Sequence, residues 1–417
     1  MKLGVVGAGS TYTPELVDGL VRLRDLLPVG ELSLHDRDER RLNVLGALTR
    51  RMLDKGAHPA QLTLTTRLDE AVSDADAVII QLRVGGQAAR IVDESLPLAC
   101  GCVGQETTGF GGLAMALRTV PVVLEVADRI RELAPSAWIV DFTNPVGIVT
   151  RALLGAGHRA VGLCSAAVVF QRHFARLLGV PPDRVELDHV GLNHLTWELA
   201  VRLDGTDVLP RLLAERADAI APATGLPAEL VRQLGVVPSY YLHYFYEHDR
   251  VVEDQRRNGT RAEEVAEIER DLLELYSDES LDAKPELLGR RGGAFYSEAA
   301  VELLAGLFGG GADRHIVNVR NDGTLDFLPG DAVVEVPARV GGREVSPLDV
   351  PPVGALERGL VAHVSAYEEL ALDAALHGGR DRVFRALLAH PLVGQADLAE
   401  TLADRMIEAN RSFLAWA

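Results

Sequence analysis

Met1-Lys2-Leu3-Gly4-Val5-Val6-Gly7-Ala8-Gly9-Ser10 opens the chain, and this stretch decides the fold class. Residues 2–6 are an apolar run of the length of one buried strand. Gly7 and Gly9 follow, and an amphipathic pattern starts at Pro14. Strand, glycine turn and helix in that order form a dinucleotide-binding start. The glycines let the backbone approach a pyrophosphate, and the helix N-terminus supplies donors and a favourable dipole. Tyr12 stands where the usual fingerprint has its third glycine. Gly7, Gly9, Ser10 and Thr11 are therefore candidate cofactor contacts. Asp36, at the end of the next apolar run, is placed to accept from ribose hydroxyls. An acid there selects NAD over NADP, because it repels a 2′-phosphate.

Outward from this start, short apolar runs alternate with helical patterns over about 165 residues, as in a doubly wound parallel sheet. The runs predict strands at Lys2–Val6, Glu31–His35, Leu62–Thr65, Ala77–Leu82, Trp138–Asp141 and Ala160–Leu163. Helices are predicted at Pro14–Leu27, Glu39–Leu53 and Met115–Leu133. Beyond Cys164 the pattern changes. Val185–His189 and Leu195–Leu203 read as strands, with a turn at Asp204-Gly205. A second hairpin is predicted around Asn321-Asp322-Gly323-Thr324, flanked by Ile316–Val319 and Leu325–Leu328. Helices are predicted at Ala262–Leu275, Ala299–Phe308, Ala355–Leu376, Arg380–Ala389 and Leu398–Leu414. The fold class is α/β: a Rossmann-like N-terminal domain over 1–165, then a mainly helical α+β domain over 166–417. The expected build is that of lactate and malate dehydrogenases.

Composition narrows the function. The net charge of −18 disfavours nucleic acid as a partner. No apolar run is long enough to predict a membrane span, and the immediate entry into a strand does not read as a signal peptide. Three cysteines, Cys100, Cys102 and Cys164, do not make a disulfide framework. A cytoplasmic protein is the expectation. Lys2, Lys55 and Lys284 are the three lysines, so positive charge is nearly all arginine, which suits bidentate anion binding.

Gly191-Leu192-Asn193-His194-Leu195-Thr196-Trp197 is the other informative string. Cys164 and His194 are each as readily core groups as ligands when taken alone. Together they suggest a metal site, and a metal beside a dinucleotide suggests redox chemistry on a substrate that the metal holds.

The chain resembles glycoside hydrolase family 4, the NAD- and metal-dependent glycosidases, and within it the 6-phospho-β-glucosidases. The resemblance rests on an ordered set of motifs. These are Gly7-Ala8-Gly9-Ser10 with Tyr12-Thr13-Pro14-Glu15, Arg83-Val84-Gly85-Gly86 and Gly104-Gln105-Glu106-Thr107-Thr108-Gly109. Then come Thr143-Asn144-Pro145, Gly162-Leu163-Cys164, Gly191-Leu192-Asn193-His194, Tyr241-Leu242-His243-Tyr244 and Thr260-Arg261-Ala262. It implies hydrolysis by elimination and addition. NAD⁺ takes hydride from C3 of the sugar, a base removes the acidified C2 proton, the aglycone leaves C1, water adds, and hydride returns. It implies Cys164 and His194 as ligands of a divalent metal, typically Mn²⁺, with open positions for substrate and water. Tyr241 is the implied base at C2, with Tyr240 one register away. Arg83, Asn144 and Asn193 are implied sugar contacts, Asn144 also touching the cofactor. Arg261 is the implied phosphate clamp, aided by the hydroxyls of Ser10 or Thr11. Glu106 is given no chemistry. The implied partner is a small phosphorylated glycoside, and the implied assembly a homodimer or homotetramer.

One departure stands out. Many phospho-β-glucosidases of the family carry Asn-Val-Pro after the metal cysteine, and some α-acting relatives carry an aspartate first. Here the residues are Ser165-Ala166-Ala167, so protonation of the leaving group has no evident owner. Three alternatives stay open. One is the same chemistry on an unphosphorylated or uronic-acid glycoside, since an arginine also clamps a carboxylate. The others are an NAD-dependent 2-hydroxy-acid dehydrogenase and a non-enzymatic NAD-binding sensor.

Overall fold

The structure is a computed structural model, and it describes residues 1–292, 295–309 and 312–417. Its strands are β1 Lys2–Val6, β2 Glu31–His35, β3 Gln61–Thr65, β4 Ala77–Ile80, β5 Trp138–Asp141, β6 Ala160–Gly162, β7 Val185–Leu192, β8 Leu195–Leu203, β9 Thr206–Asp207, β10 Val237–Pro238, β11 Ala312–Arg320, β12 Val333–Gly341 and β13 Glu344–Pro347. Strands β1 to β6 lie parallel in the order 3-2-1-4-5-6. That is the doubly wound dinucleotide-binding order. Helices cover both faces, so β1, β2, β4, β5 and β6 are almost wholly buried, while β3, at the edge of the sheet, is only partly so. Leu3, Val5, Leu32, Leu34, Val78, Ile79 and Val140 are wholly inaccessible.

The sheet does not stop at β6. It continues antiparallel through β11, β12, β7, β8 and β10. One narrow seam joins these parts, Gly162 pairing with Asn318, and a second, Gly191 with Glu335, joins β12 to β7 within the extension. A Cβ at Gly162 would stand 2.2 Å from Thr150 Oγ1 and 2.9 Å from Asn318 Cβ, so this strand crossing admits only glycine. A smaller core of Phe170, Phe174, Val185, Leu187, Val201 and Leu209 packs beside β7 and β8, away from the main one.

Several expectations shift. The helix expected over Pro14–Leu27 is Thr13–Arg22, and the one expected from Met115 begins at Gly109. Leu325–Leu328 is not a strand. β11 pairs instead with β12, and the intervening turn is built around one side chain. The Asn321 amide donates to the carbonyls of Leu325, Leu328 and Pro329 at 3.0, 3.2 and 3.1 Å, and its Oδ1 accepts from Leu325 N at 2.7 Å. Among the described residues one helix, Gly109–Leu133, is long and apolar enough to cross a membrane by length and composition, which the sequence reading did not anticipate. Most of its apolar window is buried inside the fold, against the helices Gly86–Leu98, Val146–Gly155 and Ala355–His377.

That helix carries a buried charge. Arg118 pairs with both carboxylate oxygens of Asp93, at 3.0 and 2.5 Å, with each side chain 2% exposed. It also donates to Asn410 and, at 3.2 Å, to Val84 O, which ties the Arg83 loop to the last helix, Ala396–Asn410. Removing one partner of a buried pair strands the other charge, a loss of about 3–5 kcal/mol. Arg118→Ala is expected to lower unfolding stability by about that amount. Urea denaturation of the two proteins checks this, and an unchanged midpoint would contradict it.

Candidate active site

Turns after the parallel strands empty into one cleft of about 1920 Å³. After β1, Gly7 N and Ala8 N donate to His35 O at 2.9 Å each, which closes the turn onto β2. Gly7 has φ +92, and a Cβ there would lie 2.6 Å from Gln81 O. Gly9 N donates to Asp36 Oδ2 at 2.8 Å, and a Cβ on Gly9 would meet that oxygen at 2.7 Å. The turn is thus bare backbone, as a pyrophosphate needs, and the helix Thr13–Arg22 starts behind it. Asp36 accepts one N–H on each oxygen, from Gly9 and Asp38, and keeps lone pairs for ribose hydroxyls. These residues fit a dinucleotide.

Gly7, Gly9, Ser10, Asp36, Arg83, Asn144, Cys164, His194, Tyr241 and Arg261 all line this cleft. Thr11 and Asn193, also expected at the ligand, are not among the residues lining this cleft. Thr11 is wholly buried, its hydroxyl donating to Glu269 Oε1 at 3.1 Å. Asn193 gives its amide to Glu335 Oε2 at 2.8 Å and hydrogen-bonds the Cys164 thiol. The Thr11 hydroxyl is therefore not free to reach a phosphate, while Asn193 is half-buried with its amide N–H groups engaged.

Cys164 follows β6, beside the first turn of the helix Ala166–Leu178. Burial pushes its thiol well above the usual range, and the charge of Glu335 adds to this, while N–H groups of Ala166, Asn193 and Ser165 pull the other way. His194 sits at the tip of the β7–β8 hairpin with φ +62. Its burial lowers the pKa to about 4, against opposing pulls from Glu335 and Glu106, so the imidazole is neutral at pH 7. A neutral imidazole and a thiol facing one cleft suit a divalent cation. Among the described residues no group of three or more His, Cys, Asp or Glu side chains is arranged to hold a metal. A cation on Cys164 and His194 would thus keep positions for other ligands.

The two candidate tyrosines face different neighbours. Tyr241 stacks on His194, ring centroids 3.6 Å apart and planes 13° apart. Tyr240 stacks instead on Phe170 at 6.2 Å. Burial, then Tyr240 and Cys164, push the Tyr241 phenol well above its ordinary value. Arg261, half-exposed at the start of the helix Arg261–Tyr276, donates to Arg290 O at 2.6 Å and pairs with Glu264.

Sequence reasoning missed several groups. Arg291 lines the cleft, with its guanidinium 4.4 Å from the Tyr12 ring centroid and ion-paired to Glu269 at 2.6 Å. Arg83 and Arg90 both pair with Glu106. Burial opposes that carboxylate, but the two arginines outweigh it and hold its pKa at about 2. Below the site, His189 lies between Glu198 Oε1 at 2.7 Å and Glu335 Oε1 at 3.0 Å, and Glu335 also accepts from Asn318 at 3.0 Å. No local pattern marks these groups, because their partners lie far apart in sequence.

A family model described as Family 4 glycosyl hydrolase matches residues 2–180, and a model of that family's C-terminal domain matches 189–393. The chain belongs to glycosyl hydrolase family 4. It is 39% identical to a probable 6-phospho-beta-glucosidase of Bacillus subtilis (strain 168), over 99% of this chain and 97% of that protein. The 6-phospho-beta glucosidase of Thermotoga maritima, solved with manganese, NAD⁺ and glucose-6-phosphate, has a TM-score of 0.93 to it. Those two are 33% identical, with 99% of each chain covered. Malate dehydrogenase from Salinibacter ruber, 17% identical, covers 91% of this chain and 99% of its own, with a TM-score of 0.56. That last likeness concerns the fold alone, and it agrees with the dehydrogenase-like build expected from the first strands.

His189 gives the site a pH signature. Burial disfavours its charge, but Glu198 and Glu335 outweigh this and raise its pKa from 6.5 to about 10. A histidine raised on folding contributes fully below about pH 6.5 and loses that contribution as pH climbs toward 10. The stability difference between the protein and its His189→Gln variant is therefore expected to be largest near pH 6 and to shrink up to pH 10. Urea denaturation across that range measures it, and a difference that does not change with pH would refute the charge on His189.

Proposed function

We propose that this chain hydrolyses 6-phospho-β-glucosides by redox elimination and addition. The observation that carries this is the meeting in one cleft of a dinucleotide turn with Cys164, His194 and Tyr241. The full-length similarity to phospho-β-glucosidases supports the substrate class. In this reading, bound NAD⁺ supplies a hydride acceptor at C3 that is regenerated each turnover, and a divalent cation supplies an electrophile at O2 and O3.

The chain's own residues do the rest. The Gly7–Ser10 turn holds the pyrophosphate and Asp36 the ribose. Cys164 and His194 hold the cation, with Asn193 and Glu335 packed behind them. Tyr241 takes the C2 proton, whose acidity beside a C3 carbonyl eases the demand on a phenol. The bond from C1 to the aglycone then breaks by elimination, and water adds at C1. Arg83 and Asn144 orient the sugar, and Arg261 clamps the 6-phosphate. Arg291 is one of several further arginines lining the same cleft. Ser165 lines the cleft beside Cys164 and has no acidic proton at neutral pH, so in this reading water protonates the leaving oxygen. Residues 1–165 thus hold the cofactor and supply Cys164, and residues 166–417 supply the second metal ligand, the base and the phosphate clamp.

The test is release of p-nitrophenol from its β-glucoside 6-phosphate, with NAD⁺, Mn²⁺ and a thiol reductant present and then omitted in turn. Turnover is expected only with NAD⁺ and metal, and without net NADH. Turnover that ignores either omission, or none in the complete mixture, would overturn the reading.

Two variants examine the roles. Cys164→Ser is expected to abolish metal-dependent turnover while the fold persists by circular dichroism. Tyr241→Phe is expected to lower kcat by about 10²–10⁴ and to stop exchange of the C2 hydrogen with solvent. Undiminished exchange in deuterated water would remove Tyr241 as the base.

A further inference from the structure

The Gly104–Thr108 segment, between the helices Gly86–Leu98 and Gly109–Leu133, lies hard against the second of them. A Cβ at Gly111 would be 2.2 Å from Gln105 O, and one at Gly112 would be 2.6 Å from Thr107 O. The segment is also pinned from the far side. Gly104 N donates to Gln255 Oε1 at 2.9 Å, and Gln255 Nε2 donates back to Gly104 O at 2.7 Å. Thr107 is therefore held on a rigid bed.

Its hydrogen bonds leave one consistent arrangement of protons. Thr107 N donates to the Gln105 side-chain oxygen at 2.6 Å. An amide N–H can only donate, so the Gln105 atom facing it is the carbonyl oxygen and not the NH₂. Thr107 Oγ1 lies 2.8 Å from that same oxygen. The oxygen cannot donate, so the single hydroxyl hydrogen of Thr107 points to it. Toward His194 Nδ1, 2.7 Å away, the hydroxyl can then offer only a lone pair. Nδ1 must carry the hydrogen. The opposite tautomer would set two oxygen lone pairs against each other 2.8 Å apart. In the neutral ring, which carries one N–H, Nε2 is then left without a proton. Tyr241, stacked 3.6 Å from the ring, stops it from tilting out of this bond.

We infer that Thr107, oriented by Gln105, is a positioning residue that holds His194 as its Nδ1–H tautomer and so leaves Nε2 as the lone-pair donor of the site. The link to a cation rests on the function proposed above. The tautomer itself does not. A ligating imidazole is oriented by the partner on its other nitrogen, and loss of such a partner weakens metal binding by about 10–100-fold. The Gln105-Glu106-Thr107-Thr108 motif gains a role by this route that Glu106, engaged by Arg83 and Arg90, does not supply.

The experiment uses the full chain labelled with ¹⁵N-histidine, with the His194 signals assigned by their loss in His194→Asn. Two-bond nitrogen–proton correlations in the metal-free protein read the tautomer directly. Free-Mn²⁺ electron paramagnetic resonance reads the affinity for Mn²⁺. His194 is expected as Nδ1–H in the wild type and in Thr107→Ser. In Thr107→Val it is expected to shift toward Nε2–H or a mixture, and Mn²⁺ is expected to bind about 10–100-fold more weakly. Wild-type His194 found as Nε2–H would overturn the inference even if the valine variant failed to fold. So would a valine variant with unchanged tautomer and Mn²⁺ affinity. A wild type with the Nδ1–H tautomer that binds no Mn²⁺ would overturn the metal reading and leave the tautomer assignment standing.

Discussion

Six strands running the same way must each be re-entered over the outside of the sheet, so all six of their C-terminal ends open on one edge. Everything chemical in this protein hangs on that geometric necessity. The glycine turn follows β1, Asp36 follows β2, Arg83 follows β4, Asn144 follows β5 and Cys164 follows β6. Side chains from five separate segments become neighbours without any of them being close in sequence. The antiparallel extension then carries the β7–β8 hairpin to the same edge, with His194 at its tip. A dehydrogenase-like sheet alone would hold a dinucleotide. The added strands bring the imidazole.

Beneath the cleft the electrostatics are arranged in depth. Glu335 sits on β12 opposite Gly191, one strand away from the His194 hairpin. His189, Asn193 and Asn318 all donate to it, and together they outweigh burial and keep it below the ordinary carboxylate range. Its negative charge opposes a thiolate on Cys164 and would attract a cation placed between Cys164 and His194. The same group therefore discourages a bare anion and favours its neutralisation by metal. At the cleft's other side, Glu106 is held ionised between Arg83 and Arg90. Arginine charge that would otherwise draw any anion is thus partly cancelled inside the cleft.

The sequence carried the parallel half well because burial there is two-sided. Lys2–Val6 and Trp138–Asp141 are mostly apolar and Glu31–His35 alternates, and the boundaries of all three match those of the strands. The second half was harder to read. Leu325–Leu328 has the apolar look of a hairpin strand, yet the Asn321 side chain captures that backbone before a ladder can form. The early glycines of the helix Gly109–Leu133 hid its true start, because low helix propensity there is overruled by close packing against residues 105–107. Among the site residues, the motifs pointed to His194 and Tyr241 separately, and the structure stacks them. They did not show that the Thr11 hydroxyl is buried on Glu269, or that the Asn193 amide is held by Glu335. Glu335, His189, Thr107 and Arg291 leave no short-range signal, since each is defined by a partner from another element.

The narrow seams at β6–β11 and β12–β7 also order the events of synthesis. A ribosome delivers β1 to β6 first, and these strands can pair among themselves with connections of ordinary length. Gly162 and Gly191, by contrast, wait for Asn318 and Glu335, which emerge much later. Long-range pairings of this kind close large loops and form late. A nascent chain would thus own its nucleotide turn, its cysteine and its hairpin histidine well before the carboxylate that backs them arrives. Only a completed chain holds the full electrostatic environment of the site.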